Sequence, residues 1–470
     1  MAKIEEPTID VTLFIDEEKK KVLFAESDKE FVDVLFSFLT MPLGTIVRLL
    51  GKQSQMGCLD EVYKSVEDLS SDYFQTKACK AMLLKPLNAA YSHCCRLKIN
   101  IDDTKPRAVY VGDKPEDDAK TAVDGSGDGV FVKGRQKFIT ADDLQVAPAS
   151  TSLMLSLCQK FGVQDPTDLE QSIIQFTSEK ITSLLKRSLT SRQPLTGLHF
   201  GVPIPPDDAS LGMIPRNLCP EQISEAEDKI GNVKIKVLQT KINSTVLYAE
   251  VGHDFVYIVL GLLSTPLGCI PRTFGQSSSK GCIDNLYRSI LDGTAQGYMG
   301  PDCQRLLLAP ELAPFFGSSA SQILQVNESD PGNLMINSCF KCFKIGGFSN
   351  LGRCREMYRC QNATKTAKLC ELDPKSPDEN SGNSDAYVKQ GPWSFMVTDD
   401  LHVRPLSLES NLRVVSEAKF QMKELVEKEV TLTKFQVMEL QMAALMSRDA
   451  LSSVLLPPQK NKKNLKHIIY

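Results

Sequence analysis

The sequence is poor in the residues that most often carry chemistry. Its 470 residues include five histidines, at positions 93, 199, 253, 402 and 467, and none falls in an H-E-x-x-H pattern or beside a nucleophile elbow. The metalloprotease and α/β-hydrolase signatures are therefore missing. Positive charge is not in excess either: 54 Lys and Arg against 58 Asp and Glu give a net charge of −4. That excludes an overall basic field for nucleic acid or anionic lipid. The lysine-rich stretch after Leu456, PPQKNKKNLKHIIY, reads as a solvated tail. Long hydrophobic runs are absent as well. The longest, Phe255 to Leu263, is about half of what a bilayer-spanning helix needs. The first residues, MAKIEEPTIDVTLF, lack the basic-then-apolar order of a leader peptide. Together these absences predict a soluble cytoplasmic or nuclear protein with no membrane and no nucleic-acid partner. In such a compartment its 14 cysteines are expected as free thiols or metal ligands before disulfides.

What is present is a duplication. Leu23–Pro86 returns as Leu247–Pro310 at a constant offset of 224, with 23 of 64 positions identical. FITADDLQVAP, from Phe138, returns as FMVTDDLHVRP from Phe395, and LTSRQPLT, from Leu189, as LMSRDALS from Leu445. The chain thus divides into a first repeat module over 8–200, a proline-rich linker over 201–230, a second module over 231–456 with a cysteine-containing insert, and a basic tail over 457–470. VTLFIDEEKKKVLFAE and VKIKVLQTKINSTVLYAE predict β-hairpins. Phe31–Leu39 predicts a buried helix halted near Pro42, and Cys58–Leu69 an amphipathic one. TSLMLSLCQKFG is helical, and Thr167 with Glu170 has the form of a capping box that would open another helix. Hairpins followed by helices, without strict alternation, predict an α+β fold: two tandem modules of β-hairpin plus helices packed together.

The strings FVDVLFSFLTMPLGTIVRLLG, CLDEVYKSVEDL, LKINIDD, TADDLQVAP and CELDPKSP, with VTDDLHVRP and SLTSRQPLT, resemble the plant family defined by domain of unknown function 674. Both halves fit its pattern, from about Val11 to Leu456. The resemblance implies a plant source and no established activity, substrate or cofactor. It also implies that cysteine pairs occur in the central region, after a tyrosine-bearing strand such as MYRC here.

Several residue sets invite a chemical reading. In the insert, Cys339 and Cys342 form a C-x2-C pair followed by Cys354 and Cys360. Four thiolates of this kind would hold a tetrahedral zinc ion, although the second pair has the wrong spacing for a knuckle and the plain alternative is an unmetallated loop. Cys58, Cys79, Cys282 and Cys303 recur between repeats and read as buried small hydrophobes. His93, Cys94 and Cys95 are adjacent, which suits a partly buried helix better than a shared metal. The pairs Asp142–Asp143 and Asp399–Asp400 recur in both repeats and are the best acid–base candidates, yet aspartate at such points more often caps a helix or turn. MPLGTIVRLLGKQSQMGC, from Met41, resembles a phosphate loop only superficially: Gly44 and Gly51 are too far apart, Lys52 precedes Gln53, and the second repeat puts Gln276 in place of Lys52. Its one recurrent charge is Arg48, matched by Arg272.

No cofactor is assigned apart from the zinc expectation, and no catalytic residue. The reading is a non-catalytic binding or scaffold protein for an unknown protein or small-molecule partner. The alternatives are an enzyme with its site in the inter-repeat cleft, using the aspartate pairs with Arg48 or Arg272, and a zinc-dependent interaction module. Placement discriminates: those groups either converge in one pocket or each serve a local turn.

Overall fold

Ile9, Val11, Leu13 and Ile15 alternate with more exposed neighbours, and this period of two gives β1 (Ile9–Asp16) one fully apolar face. Across a charged turn β2 (Lys21–Ser27) returns antiparallel and completes the hairpin. The computed structural model describes residues 6–105, 128–165, 169–204, 233–242, 245–275, 281–330, 334–339, 345–347, 364–369, 373–376 and 386–456. Helices α1 (Lys29–Ser37), α2 (Leu43–Leu49), α3 (Leu59–Asp68), α4 (Lys77–Leu84) and α5 (Tyr91–Cys94) follow. The chain re-enters the sheet as β3 (Phe138–Ala141) and β4 (Val146–Pro148). Then come α6 (Thr151–Phe161), β5 (Glu170–Phe176), α7 (Ser178–Thr190) and α8 (Pro194–His199).

The second repeat retraces this path. Its hairpin is β6 (Val233–Thr240) and β7 (Val246–Val251), and its helices are α9 (His253–Gly261), α10 (Cys269–Phe274), α11 (Ile283–Gly293), α12 (Pro301–Leu308) and α13 (Ser319–Ile323). A small extra sheet of β8 (Leu334–Cys339), β9 (Ile345–Gly347) and β10 (Thr364–Leu369) comes next. The repeat ends with β11 (Phe395–Thr398), β12 (Val403–Pro405), α14 (Leu408–Glu417), β13 (Leu425–Leu432), α15 (Lys434–Met446) and α16 (Ala450–Leu455). The two large sheets have matching orders, β4-β3-β2-β1-β5 and β12-β11-β7-β6-β13, all antiparallel. The fold is α+β, with one sheet per repeat.

One helix expected from the sequence is a strand. Glu170 opens β5, which pairs with β1 along its length, while Thr167 lies outside the described residues. The capping-box pattern is local, whereas the edge of β1 offers a row of backbone partners that a helix there would leave open.

The two repeats do not sit side by side as separate bodies. Each sheet is closed by a helix of the other repeat. Ser65 Oγ on α3 accepts the Val403 N–H of β12 at 2.8 Å, and Ser289 Oγ on α11 accepts the Val146 N–H of β4 at 2.9 Å. The exchange is anchored where Cys58 N–H donates to Ala444 O (2.7 Å) and Cys282 N–H to Ser188 O (2.8 Å). Gly57 and Gly281 precede these cysteines, and a Cβ on either would press into the backbone at the C-terminal end of α15 or α7.

A pseudo-two-fold axis runs between Pro42 and Pro266, which face each other in an antiparallel bridge. Leu43 N–H donates to Thr265 O and Leu267 N–H to Met41 O, both at 2.9 Å. A Cβ on Gly44 would meet Leu263 O at 3.0 Å, and one on Gly268 would meet Leu39 O at 2.9 Å. The recurrent Pro-Leu-Gly is therefore the crossing point of the two halves, where missing side chains let the backbones touch. One apolar core runs through both repeats. Among the described residues, no helix is long and apolar enough to cross a membrane.

Candidate functional site

The first aspartate of each recurrent pair docks a terminal helix. Asp142 accepts the Thr196 N–H (2.9 Å) and hydroxyl (2.6 Å) at the start of α8, and Thr196 Oγ1 in turn accepts the Val22 N–H of β2 at 2.9 Å. The second repeat does the same with Asp399, Ser452 on α16 and Val246 on β7. A carboxylate on the first amides of a helix caps it from outside. Burial pushes both carboxyls above the ordinary value, Asp399 to about 6. Their neighbours serve nearby turns: Asp143 accepts the Gln145 N–H and Asp400 the His402 N–H. Replacing Asp142 with alanine should free α8 from the hairpin and cost about 2 kcal/mol, read as a lower midpoint in urea denaturation.

The arginines part company. Arg48 forms a two-pronged pair with Asp103, which holds that carboxyl below its ordinary value. Arg272 donates instead to the carbonyls of Leu324 (3.3 Å) and Gln325 (2.7 Å). Lys52, the supposed phosphate lysine, pairs with Glu67 at the surface. The aspartate pairs and the two arginines do not converge on one pocket.

Cys58, Cys79 and Cys282 are buried and Cys303 is half-buried. Burial raises the thiols of Cys58, Cys282 and Cys303, so none is poised as a thiolate. Of the four insert cysteines, Cys339 closes β8, of which the backbone alone is described. Cys342, Cys354 and Cys360 lie outside the described residues. Among the described residues no group of three or more His, Cys, Asp or Glu side chains is placed to hold a metal ion.

A cavity of about 460 Å³ opens instead at the junction of the repeats. The first repeat contributes Thr40, from the 3-10 turn after α1, and Asn88, Ala89, Ala90 and His93 around α5. The second contributes Arg272 on α10, Asp302, Cys303, Arg305 and Leu306 on α12, and the segments around Pro310 and Asn327. On the inner wall Asn88 Nδ2 donates to Thr40 Oγ1 at 3.1 Å, and behind that wall the buried Cys94 Sγ stands 3.6 Å from the same hydroxyl. Burial pushes the Cys94 thiol up to about 11. His93 stacks on Phe131 with its ring 6.2 Å away, and burial, with Arg96, holds the imidazole below its ordinary value. It is neutral at physiological pH and offers one donor and one acceptor. The rim is mixed in charge, with an Asp302–Arg305 pair at 3.6 Å, Arg272 and Glu311.

Sequence reasoning offered the inter-repeat cleft as an alternative and named Arg272, which lines this cavity, but it missed the other lining residues because it sought what the repeats share. The cavity is built where they differ: Asn88, His93, Asp302 and Arg305 are matched by Leu312, Gly317, Ala78 and Ala81. Only side-chain divergence at a shared backbone position signals it.

The chain belongs to the family described as Protein of unknown function (DUF674), whose model matches residues 5–118 and 111–435. No curated protein and no solved structure matches it.

Proposed function

We propose that this member of the DUF674 family is a non-catalytic binding protein whose ligand, a small polar molecule with an anionic group, lodges in the cavity between its two repeats. The observation that carries this reading is the cavity itself. Its volume, about 460 Å³, lies in the range of small-molecule sites, and both repeats line it. Arg272 and Arg305 on α10 and α12 can meet an anionic group, Asp302 and Glu311 can meet a cationic group on the same ligand, and Asn88, Asn327 and Ser329 supply neutral hydrogen-bonding groups. Binding is favoured over catalysis because the recurrent aspartates are taken up by helix termini and local turns, and burial raises the thiol of Cys303, the cysteine on the cavity wall.

Ala309 lines the cavity, and Ala309→Phe would fill it. Thermal denaturation of the full chain against a panel of amino acids, mono- and dicarboxylates is expected to give at least one member that raises the melting temperature of the wild type and not of Ala309→Phe. A ligand at about 100 times its Kd adds about 2.7 kcal/mol, which such a scan resolves. Equal shifts in the two proteins would place binding elsewhere.

A further inference from the structure

A second cavity, of about 280 Å³, lies at the corner where the β3–β4 turn, the end of α6, the α7–α8 loop and the start of α11 meet. Two ammonium groups border it. Lys21 Nζ and Lys160 Nζ each stand 5.5 Å from the centre of the Phe161 ring, so both cations are placed by the same side chain. Among the described residues neither lysine lies within ion-pair distance of a carboxylate, and Lys21 acts on Asp142 through space. Arg192 adds a third cation to the lining. The two carboxylates of the corner are engaged by the fold, Asp142 with Thr196 and Asp143 with the Gln145 amide.

The other repeat is a built-in comparison. Its corner keeps Asp399, Asp400 and Arg448 at the places of Asp142, Asp143 and Arg192. At the remaining charged or polar positions, positive charge is lost or negative charge gained: Thr245 stands for Lys21, Glu417 for Lys160, Asp449 for Gln193 and Glu61 for Asn285. Three cations and two carboxylates in one corner become one cation and five carboxylates in the other. There Glu61 is met by His402, with Nδ1 at 3.1 Å, whereas Asn285 donates to the Asp143 carbonyl. The same scaffold folds with either charge, so the lysines of the first repeat are not required by the architecture. A concave site lined by cations concentrates anions.

We propose that this corner of the first repeat binds a small dianion, phosphate or the phosphate group of a small ester, with Lys21, Lys160 and Arg192 as its cationic ligands. It is a separate site from the cavity between the repeats and does not depend on the reading of that cavity. Phosphate suits it because several cations surround a space just below the roughly 300 Å³ at which drug-sized sites begin.

The test is calorimetric titration of the full chain at low ionic strength with inorganic phosphate and, separately, glycerol phosphate. Saturable binding is expected in the wild type. It should weaken about tenfold or more in Lys21→Thr/Lys160→Glu, which installs the residues of the second repeat, while the melting temperature without phosphate stays the same. Lys21→Arg/Lys160→Arg should keep the binding. Equal affinities for the two probes assign free phosphate, and tighter binding of glycerol phosphate assigns a phosphorylated small molecule. No saturable heat with either probe up to about 10 mM, or undiminished affinity in the Thr/Glu variant, overturns the proposal.

Discussion

Gly281→Ala is expected to cost about 3 kcal/mol or more, a large fraction of the stability of an ordinary domain. A Cβ at this position would lie 2.6 Å from the Leu189 carbonyl carbon and closer still to the Ser188 oxygen. Both are backbone atoms and cannot swing aside as a side-chain end would. The same Ser188 carbonyl accepts the Cys282 N–H that ties α11 to the other repeat, so relief of the clash would break the tie. Gly57 is the counterpart: its φ of +54° is itself costly for any residue with a Cβ, and Leu445 C would be 2.8 Å away. Gly252, which has nothing within 4 Å of its would-be Cβ, provides the control, and Gly252→Ala should change stability by less than about 1 kcal/mol. Urea denaturation of the three variants measures this. A Gly281→Ala protein as stable as the wild type would mean that the halves do not clasp there.

The second large effect is expected at Asp33, a carboxylate 3% exposed in the middle of the apolar helix α1. It accepts the backbone N–H groups of Val130 (2.6 Å), Phe131 (2.8 Å) and Val132 (3.0 Å). Asp33→Ala strands three buried donors and should cost about 3 to 5 kcal/mol. The second repeat holds the corresponding segment by the opposite chemistry. Tyr257, at the place of Asp33, donates its hydroxyl to Val388 O, and Tyr257→Phe, losing a single bond, should cost about 1 kcal/mol.

Acidity gives a further readout at Asp33. Burial raises its pKa from 3.8 to about 6, with the three N–H donors opposing the shift. The folded state therefore holds this proton more tightly than the unfolded chain. The stabilisation from protonation is complete below about pH 4 and is lost as the pH rises through about 6. In Asp33→Asn that dependence disappears, so the advantage of wild type over the variant should be larger at pH 4.5 than at pH 7. A constant difference would show that Asp33 is not the titrating group.

Much of the local structure was legible. The alternation in the hairpin strand, the apolar run from Phe31 and the helical pattern of TSLMLSLCQKFG act over a few residues, and the elements form where those signals stand. β5 was misread because Glu170 and Thr167 form a plausible cap locally, while the strand depends on β1, far away in the chain. The candidate sites were barely legible. His93 reaches the cavity wall with Arg272 and Arg305 only because α5 of one repeat meets α10 and α12 of the other. Asn88 has no counterpart of its own kind to draw attention to it.

The residues read in order were enough to show a duplicated α+β chain, recurrent residues of the packing and turn types, and a glycine-rich stretch after Met41 that lacks the phosphate-loop pattern. Period, turn chemistry and repetition are properties of neighbours along the chain, and they survive without a fold. It took the folded chain to show that Pro42 meets Pro266 at the axis, that α3 and α11 each close the sheet of the other repeat, and that one corner is cationic where its twin is acidic. Those features join residues more than a hundred positions apart, and no local pattern encodes which surfaces will be pressed together once a common core is buried.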